Sequence, residues 1–425
     1  MSSVRVAVLG AGTVGSQVIR LLQESADDFA ARAGAPIELV GIGVSSIEKE
    51  REPWIDRSLL TTDLAGLTTS AQIVIELIGG IDPARDLVLS ALNAGATVVT
   101  GNKALLASHG PELFEAAAAS GADLYYEAAV AGAVPVVYAL RESLAGDTVT
   151  RVLGIVNGTT NYILDEMATK GLAFESALAD AQRLGFAEAD PTADVDGHDA
   201  AAKAALLASL AFHTRVAIED VDTEGIRSVT AEDIELAESA GYTLKLLAIA
   251  DRLAGGVSVR VSPTLVPHAH PLAAVRGSFN AVVVEAEAAD RLMFYGRGAG
   301  GAPTASAVLS DVVAAASHKV RGGNAPRESA YAALPVLGPE DALTAQQIRL
   351  RVSDEPGVLA TVAGAFAAHG ISIESVRQLA AENGDAALSI VTHVARAAAL
   401  AATVSDLEAA ASVREVVSVL PVESA

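Results

Sequence analysis

The chain has 425 residues, with 29 Lys and Arg against 52 Asp and Glu, a formal charge of −23, and no Cys. Domains usually hold about 100–200 residues, so two or three are expected. The acidic balance without a basic stripe argues against a nucleic-acid binder, and the lack of Cys excludes disulfides, a thiolate nucleophile and Cys-ligated metals.

No run reaches the roughly 18 unbroken apolar residues of a membrane helix. Met1-Ser2-Ser3-Val4-Arg5 passes straight into a strand pattern without a basic, then apolar leader. Secretion is therefore not expected, and a cytoplasmic location is.

The first 130 or so residues alternate strand and helix patterns, the rhythm of a parallel sheet covered by helices. Strands are expected at 4–9, 38–44, 73–78, 97–100 and 123–126, and helices at 13–23, 84–94 and 111–120. The last of these is read as opening on Pro111, a residue that the first helical turn tolerates. From about Pro135 comes a strand at 151–156, then long Ala-rich helices with apolar residues at helical spacing. A Gly-rich loop, Phe294-Tyr295-Gly296-Arg297-Gly298-Ala299-Gly300-Gly301, precedes a helix at 304–316. The stretch 318–341 lacks periodicity and marks a linker, implying few contacts between the segments on its two sides. Beyond it, a strand at 348–352, a helix at 357–369 and a strand at 371–378 begin a small α+β module of about 80 residues.

Gly10-Ala11-Gly12-Thr13-Val14-Gly15 follows a strand and opens a helix, the context that gives this spacing meaning. Gly10 allows the tight turn, Gly12 lets the backbone approach a pyrophosphate, and Gly15 lets helix and strand pack closely. The helix N-terminus offers its free N–H groups to the phosphates. The alternative is a glycine turn without a ligand. The second strand ends Gly41-Ile42-Gly43-Val44-Ser45-Ser46, with neither an acidic residue for a ribose 2′-hydroxyl nor an Arg at its tip. Lys49 and Arg51 come next, placed either to meet a 2′-phosphate or to form a charged surface loop. The choice between NADP and NAD leans to NADP.

Four carboxylates and a Gly-His pair, in Glu188-Ala189-Asp190-Pro191-Thr192-Ala193-Asp194-Val195-Asp196-Gly197-His198, stand before an apolar helix whose one cation is Lys203. Asp199 lies four residues earlier on the same face. A buried amine beside a carboxylate suits a proton donor with a tunable pKa; the alternative is a structural ion pair. Lys103, in Thr100-Gly101-Asn102-Lys103, follows the fourth predicted strand, where open parallel sheets bind ligands, or is a surface lysine. His268 and His270 have a metal-like spacing but no third ligand nearby, and His198 reads as a contact at the start of the helix.

With these residues in place, the chain resembles the homoserine dehydrogenase family along essentially its whole length. The matching pieces are 10–15, Glu76-Leu77-Ile78-Gly79-Gly80, 100–105, 127–134, Gly154-Ile155-Val156-Asn157-Gly158-Thr159-Thr160-Asn161, 185–203 and 295–301. The resemblance implies that Lys203 is the acid–base group, with Lys103 its partner near the carbonyl. It implies that Glu188 and Asp199, with Asp194 and the pocket-lining Gly185, hold the substrate, and that Gly300 returns to the cofactor. It further implies a sodium ion held by oxygens of Glu127, Val130, Gly132 and Val134. A homodimer or homotetramer is implied as well, of the monofunctional type because no kinase domain precedes the first strand. The reaction implied is reversible reduction of L-aspartate 4-semialdehyde to L-homoserine, in threonine, methionine and isoleucine biosynthesis.

The last module, with its Ser353-Asp354-Glu355-Pro356-Gly357 turn, resembles an ACT domain. That resemblance implies an L-threonine effector near Asp354 and Gly357, where free helix N–H groups can take a carboxylate; the alternative is a pairing module without a ligand. The expected fold is thus α/β. A Rossmann-type doubly wound sheet occupies 1–134, completed by a helix at about 303–318. A catalytic α+β substrate and dimerisation domain comes next at 135–302, then a linker at 319–344 and a βαββαβ ACT domain at 345–425. Two other readings stand beside this one: a non-catalytic NAD(P)-binding amino-acid sensor, and another amino-acid dehydrogenase using a His–carboxylate pair on a 2-hydroxy acid.

Overall fold

The computed structural model describes residues 3–327, 329–380 and 385–424. Its packing defines two units. Unit 1 comprises Met1–Gly158, Asp199–Val221 and Ser278–Leu334, and unit 2 comprises Thr159–His198, Asp222–Gly277 and Pro335–Ala425.

Unit 1 is built on six parallel strands, β1 (Val4–Leu9), β2 (Ile37–Gly43), β3 (Leu60–Thr61), β4 (Ile73–Glu76), β5 (Thr97–Thr100) and β6 (Leu124–Tyr125). They are ordered β3-β2-β1-β4-β5-β6, the doubly wound arrangement. All four residues of β4 and of β5 are buried, as expected of strands covered on both faces. The helices of this stretch are α1 (Thr13–Glu24), α2 (Ala26–Ala33), α3 (Leu64–Ser70), α4 (Ala84–Asn93) and α5 (Lys103–Ser120). A helix distant in sequence, Gly301–Arg321, packs on α1 and α2. Its Val308, Val312 and Ala316 join Val6, Val8 and Ile19 in one core. It is the helix expected to complete this sheet, longer at both ends.

Two expectations need correction here. α5 opens at Lys103, not Pro111, because the Asn102 side chain accepts the Leu105 amide at 3.1 Å and so caps the earlier turn. Pro111 then sits inside the helix, which gives up one backbone hydrogen bond and continues. The Gly-rich stretch is also not all loop. Phe294–Arg297 finishes the strand Asp290–Arg297, which pairs antiparallel with Phe279–Ala286, itself paired with Val149–Ile155. Alternating exposure along that strand, from Leu292 to Arg297, is a strand signal that Gly296 and Gly298 obscured. The second segment of unit 1, Asp199–Val221, opens on a helix that runs to Phe212 and is buried along most of its length.

Unit 2 contains helices Phe174–Arg183 and Ala231–Ser239 and a long antiparallel hairpin, Tyr242–Leu253 with Gly256–Pro267. The helical reading of this region did not foresee the hairpin. Nearly every hairpin residue is buried, so the strands lack the alternation that identifies a half-exposed strand.

The C-terminal module has the order expected of it: strand Leu343–Ser353, helix Val358–Ala368, strands Ile373–Ala380 and Asp385–Thr392, helix Ala397–Ala409, strand Val413–Val422. The first strand lies between the last and Asp385–Thr392, all antiparallel, over a core that includes Ile348, Val362, Phe366, Ile390, Leu400 and Leu407. The expectation of few contacts to the preceding chain fails within unit 2. Leu265 of the hairpin pairs with Val422, and the Glu423 amide donates to the Leu265 carbonyl at 2.8 Å. Arg349, on the first strand of the module, meets Glu232 at 2.8 Å and Asp233 at 2.9 Å. Residues 335–337 of the expected linker bond along the hairpin edge, Val257 to Pro335 at 2.9 Å and Leu337 to Val257 at 2.8 Å.

Candidate active site

The glycine loop after β1 has the strained geometry that its sequence demands. Gly10 has φ +103°, and a Cβ there would meet the Leu77 carbonyl oxygen at 2.6 Å. A Cβ on Gly15 would overlap the Gly10 carbonyl oxygen, so the α1 backbone can approach β1 only with glycine. A Cβ on Gly12 would meet nothing within 4 Å, which leaves the backbone open to a ligand. Gly12 is also the N-cap of α1 and makes no side-chain cap, so the first amides of α1, including those of Thr13 and Val14, are open to an anion. Gly300, with φ +123°, caps the helix Gly301–Arg321, whose Gly301 comes against the Thr13 carbonyl. Gly15→Ala is expected to weaken nicotinamide-cofactor binding by roughly ten- to a hundred-fold, since overpacking typically costs about 1–3 kcal/mol. Fluorescence titration with NADPH measures this, and unchanged affinity would show that the loop relaxes.

At the tip of β2 the Arg51 guanidinium donates to the Ala11 carbonyl at 3.0 Å and to the Ser46 carbonyl at 3.2 Å. Arg51 therefore stands at the edge of the glycine loop rather than in a free surface loop.

Three of the residues singled out in the sequence meet in unit 1. Asp199 is 6% exposed and Lys203 8%. One carboxylate oxygen of Asp199 takes the Lys203 ammonium at 2.7 Å and the Asn157 amide at 2.8 Å. The other takes the Lys103 ammonium, which comes from the first turn of α5. The Lys203 ammonium also donates to the Val156 carbonyl at 2.6 Å, and Asn280 donates to the same carbonyl at 3.0 Å. Burial pushes the Asp199 carboxyl upward, but the Lys203 and Lys103 charges and their hydrogen bonds outweigh it and hold it well below the usual carboxylate range. Lys103 keeps 44% of its side chain exposed, so the cluster has one buried and one accessible ammonium.

The support for Lys103 was not read from the sequence. Buried Glu76, at the end of β4, accepts the Thr100 hydroxyl at 2.6 Å and the Ile78 and Gly79 amides at 2.8 and 3.1 Å. Asn102 donates to the Gly80 carbonyl at 2.7 Å. This network locks the ends of β4 and β5 together and fixes where α5, and with it Lys103, begins. Asn157 was likewise missed as a partner of Asp199. Its presence in the Asn-Gly-Thr-Thr-Asn segment was the only signal for it.

Gly185, Glu188 and Asp194 belong to unit 2. Gly185 has φ +77°; the Gln182 side-chain amide donates to the Glu188 carbonyl at 3.0 Å, and the Glu188 side chain is exposed. His198 is exposed, His268 faces Glu238 at 3.2 Å, and buried His270 accepts the Leu272 amide at 3.2 Å.

The loop 127–134 lies in unit 1. The Glu127 carboxylate is buried and accepts the Val137 and Tyr138 amides at 3.0 and 2.7 Å, while the Glu127 amide donates to Asp311 at 3.0 Å. Burial raises Glu127 to about 7 against those amides, and burial together with the Glu127 charge raises Asp311 to about 8. Ala131 and Gly132 are both left-handed, with φ +56° and +59°.

A doubly wound sheet with an open glycine loop, and a buried lysine–carboxylate cluster in the same unit, define a nucleotide-dependent dehydrogenase. Comparison with known proteins gives the particular family. Residues 10–127 match the model for "Homoserine dehydrogenase, NAD binding domain", 135–313 match "Homoserine dehydrogenase", and 346–412 match "ACT domain". The homoserine dehydrogenase of Corynebacterium glutamicum is 54% identical over 99% of this chain and 96% of its own. The crystal structure of a homoserine dehydrogenase from Thiobacillus denitrificans superposes with a TM-score of 0.91 at 39% identity, covering 100% of this chain and 99% of that one. A hyperthermophilic archaeal homoserine dehydrogenase, solved in complex with NADPH, gives 0.64 at 25% identity over 76% of this chain and 99% of its own. The chain belongs to the homoserine dehydrogenase family. It is an NAD(P)-dependent oxidoreductase acting on a CH–OH group and carries a C-terminal ACT domain. None of its described helices is long and apolar enough to cross a membrane.

Proposed function

We propose that the Lys103–Asp199–Lys203 cluster is the reaction centre for the interconversion of L-aspartate 4-semialdehyde and L-homoserine. One observation carries this reading: two ammonium groups from separate chain segments converge on one buried carboxylate. When bound, the reduced nicotinamide supplies a hydride to the aldehyde carbon. Lys203 gives its proton to the developing alkoxide, and Lys103 stabilises that oxygen's charge. Asp199 and the Val156 carbonyl hold the Lys203 ammonium in place. In the reverse direction the Lys203 amine accepts the hydroxyl proton. Gly185, Glu188 and Asp194, with Asp199, are read as the groups that bind the polar ends of the substrate. The test is turnover of Lys203→Met and Lys103→Met, with cofactor binding measured separately; normal turnover in both would remove the cluster from the mechanism.

The cofactor site is assigned to Gly10, Gly12, Thr13, Val14, Gly15, Lys103 and Gly300. The position of Arg51 beside Ala11 and Ser46 supports the lean to NADP, because a guanidinium there can pair with a 2′-phosphate, and the archaeal relative was solved with NADPH. A sodium ion would be held by the backbone carbonyl oxygens of Glu127, Val130, Gly132 and Val134. The donor set fits, since hard cations take oxygen ligands and the Glu127 carboxylate is already engaged by two amides. The ion would brace the loop. The family resemblance also supports a homodimer or homotetramer in the cytoplasm.

The ACT domain is assigned to L-threonine. Gly357, with φ +96°, caps the helix Val358–Ala368, and a Cβ there would meet nothing within 4 Å, leaving room for a carboxylate at the helix amides. Threonine is expected to lower turnover through a coupling of about 1–3 kcal/mol, a shift of roughly 5- to 150-fold in apparent affinity. Asp354→Ala should lose that response and keep its basal rate. Because Val422 and Arg349 tie the module into unit 2, this point substitution is a cleaner test than truncation. A full-length enzyme indifferent to millimolar threonine would leave the module structural.

A further inference from the structure

Apart from the lysine–aspartate cluster, unit 1 contains a cavity of about 300 Å³, within the range of small-molecule sites. Leu106, Ala107 and Phe114 of α5 line it from one side, and Leu206, Ser209 and Leu210 of the helix His198–Phe212 from another. Tyr126 and Arg141 contribute to the same lining.

Arg141 distinguishes this cavity from a packing defect. Its side chain is 7% exposed, and its guanidinium carbon lies 5.7, 5.9 and 5.4 Å from the ring centres of Tyr125, Tyr126 and Tyr138. Its Nε is buried and has no hydrogen-bond partner among the described residues. Its guanidinium donates to Glu142 at 3.3 Å, a carboxylate that is 40% exposed. Arg141 thus lends the cavity wall a largely desolvated cation, with which a carboxylate in the cavity can pair. Arg215 and Arg327 also border the cavity, against Glu219, so its lining carries a net positive charge that suits an anionic group.

We propose that this cavity binds a small monocarboxylate with an apolar or aromatic body, its carboxylate on Arg141 and its body between α5 and the Lys203 helix. Leu106 and Leu206 each stand one turn beyond Lys103 and Lys203 on the same two helices. An occupant therefore bears on the spacing of the two segments that carry the cluster, and its binding changes turnover. This site is separate from the ACT domain and does not depend on that domain's effector.

The probes are phenylacetate and its uncharged analogue phenylacetamide, titrated calorimetrically into the full-length enzyme with turnover followed in parallel. Saturable phenylacetate binding is expected, weakened about ten-fold or more in Arg141→Met and with phenylacetamide, as for a lost charge-assisted hydrogen bond. Ala107→Phe, which adds bulk to the cavity wall and keeps Arg141 in the sequence, should abolish binding and serves if Arg141→Met does not fold. No saturable binding at millimolar phenylacetate would overturn the proposal. So would binding that both variants leave intact and that L-homoserine displaces, which would place the probe at the substrate site. Binding without any change in turnover would overturn the coupling.

Discussion

Lys203→Ala is expected to lower kcat by about 10²–10⁴-fold, the usual cost of losing a general acid, while cofactor affinity stays near that of the native enzyme. The two effects separate because Lys203 and the glycine loop are held by different contacts. Lys203 is fixed by Asp199 and Val156, whereas the loop is fixed by Gly10, Gly15 and Leu77. The substitution leaves the Val156 carbonyl with Asn280 as a donor, so the β-strand end keeps a partner and the fold should persist. Lys203→Met retains most of the apolar stem and controls for the lost volume. Steady-state kinetics and cofactor titration on both variants check this. Near-normal turnover in either would sink the assignment of Lys203, and equal loss of turnover and cofactor affinity would indicate a structural role.

Asp199→Ala should impair both activity and stability, and its pH dependence tells the two apart. Removing the carboxylate leaves two ammonium groups facing each other, one of them buried; breaking a buried pair typically costs about 3–5 kcal/mol. The Michaelis constant for homoserine should rise and kcat fall, with cofactor binding much less affected. In the native protein the folded-state pKa of Asp199 lies below its ordinary value. The carboxylate's stabilisation is therefore complete above the ordinary Asp range and is lost as pH falls through the depressed folded value. Native enzyme and Asp199→Asn should thus differ most in thermal stability near neutral pH and converge under strong acid. A difference that does not shrink with falling pH would show that the ion pairs are not its source.

Much of the nucleotide-binding half was legible because its signals are local. Gly10, Gly12 and Gly15 stand at a fixed spacing after an apolar strand, and the first and last of them are required by what a Cβ would strike, the Leu77 and Gly10 carbonyls. Asp199 and Lys203 were legible for a similar reason, since a four-residue spacing on a helix sets their contact. The misreadings came where local signals conflict or vanish. Pro111 looks like a helix start until Asn102 is seen to cap the earlier turn. The hairpin Tyr242–Pro267 shows no alternation because both its faces are covered.

The sequence by itself determined the doubly wound half, the glycine loop, the carboxylate–lysine pair on one helix face and a small α+β module at the C-terminus. Each depends on periodicity or spacing within a few turns of chain. Only the tertiary structure decided that Lys103 shares Asp199 with Lys203 across 96 residues, that Asn157 joins them, and that Glu76 and Asn102 fix the start of α5. It also decided that Arg141 is buried against three tyrosines with an N–H left over. Burial and long-range pairing depend on which surfaces the folded chain brings together, and no spacing along a linear sequence encodes that.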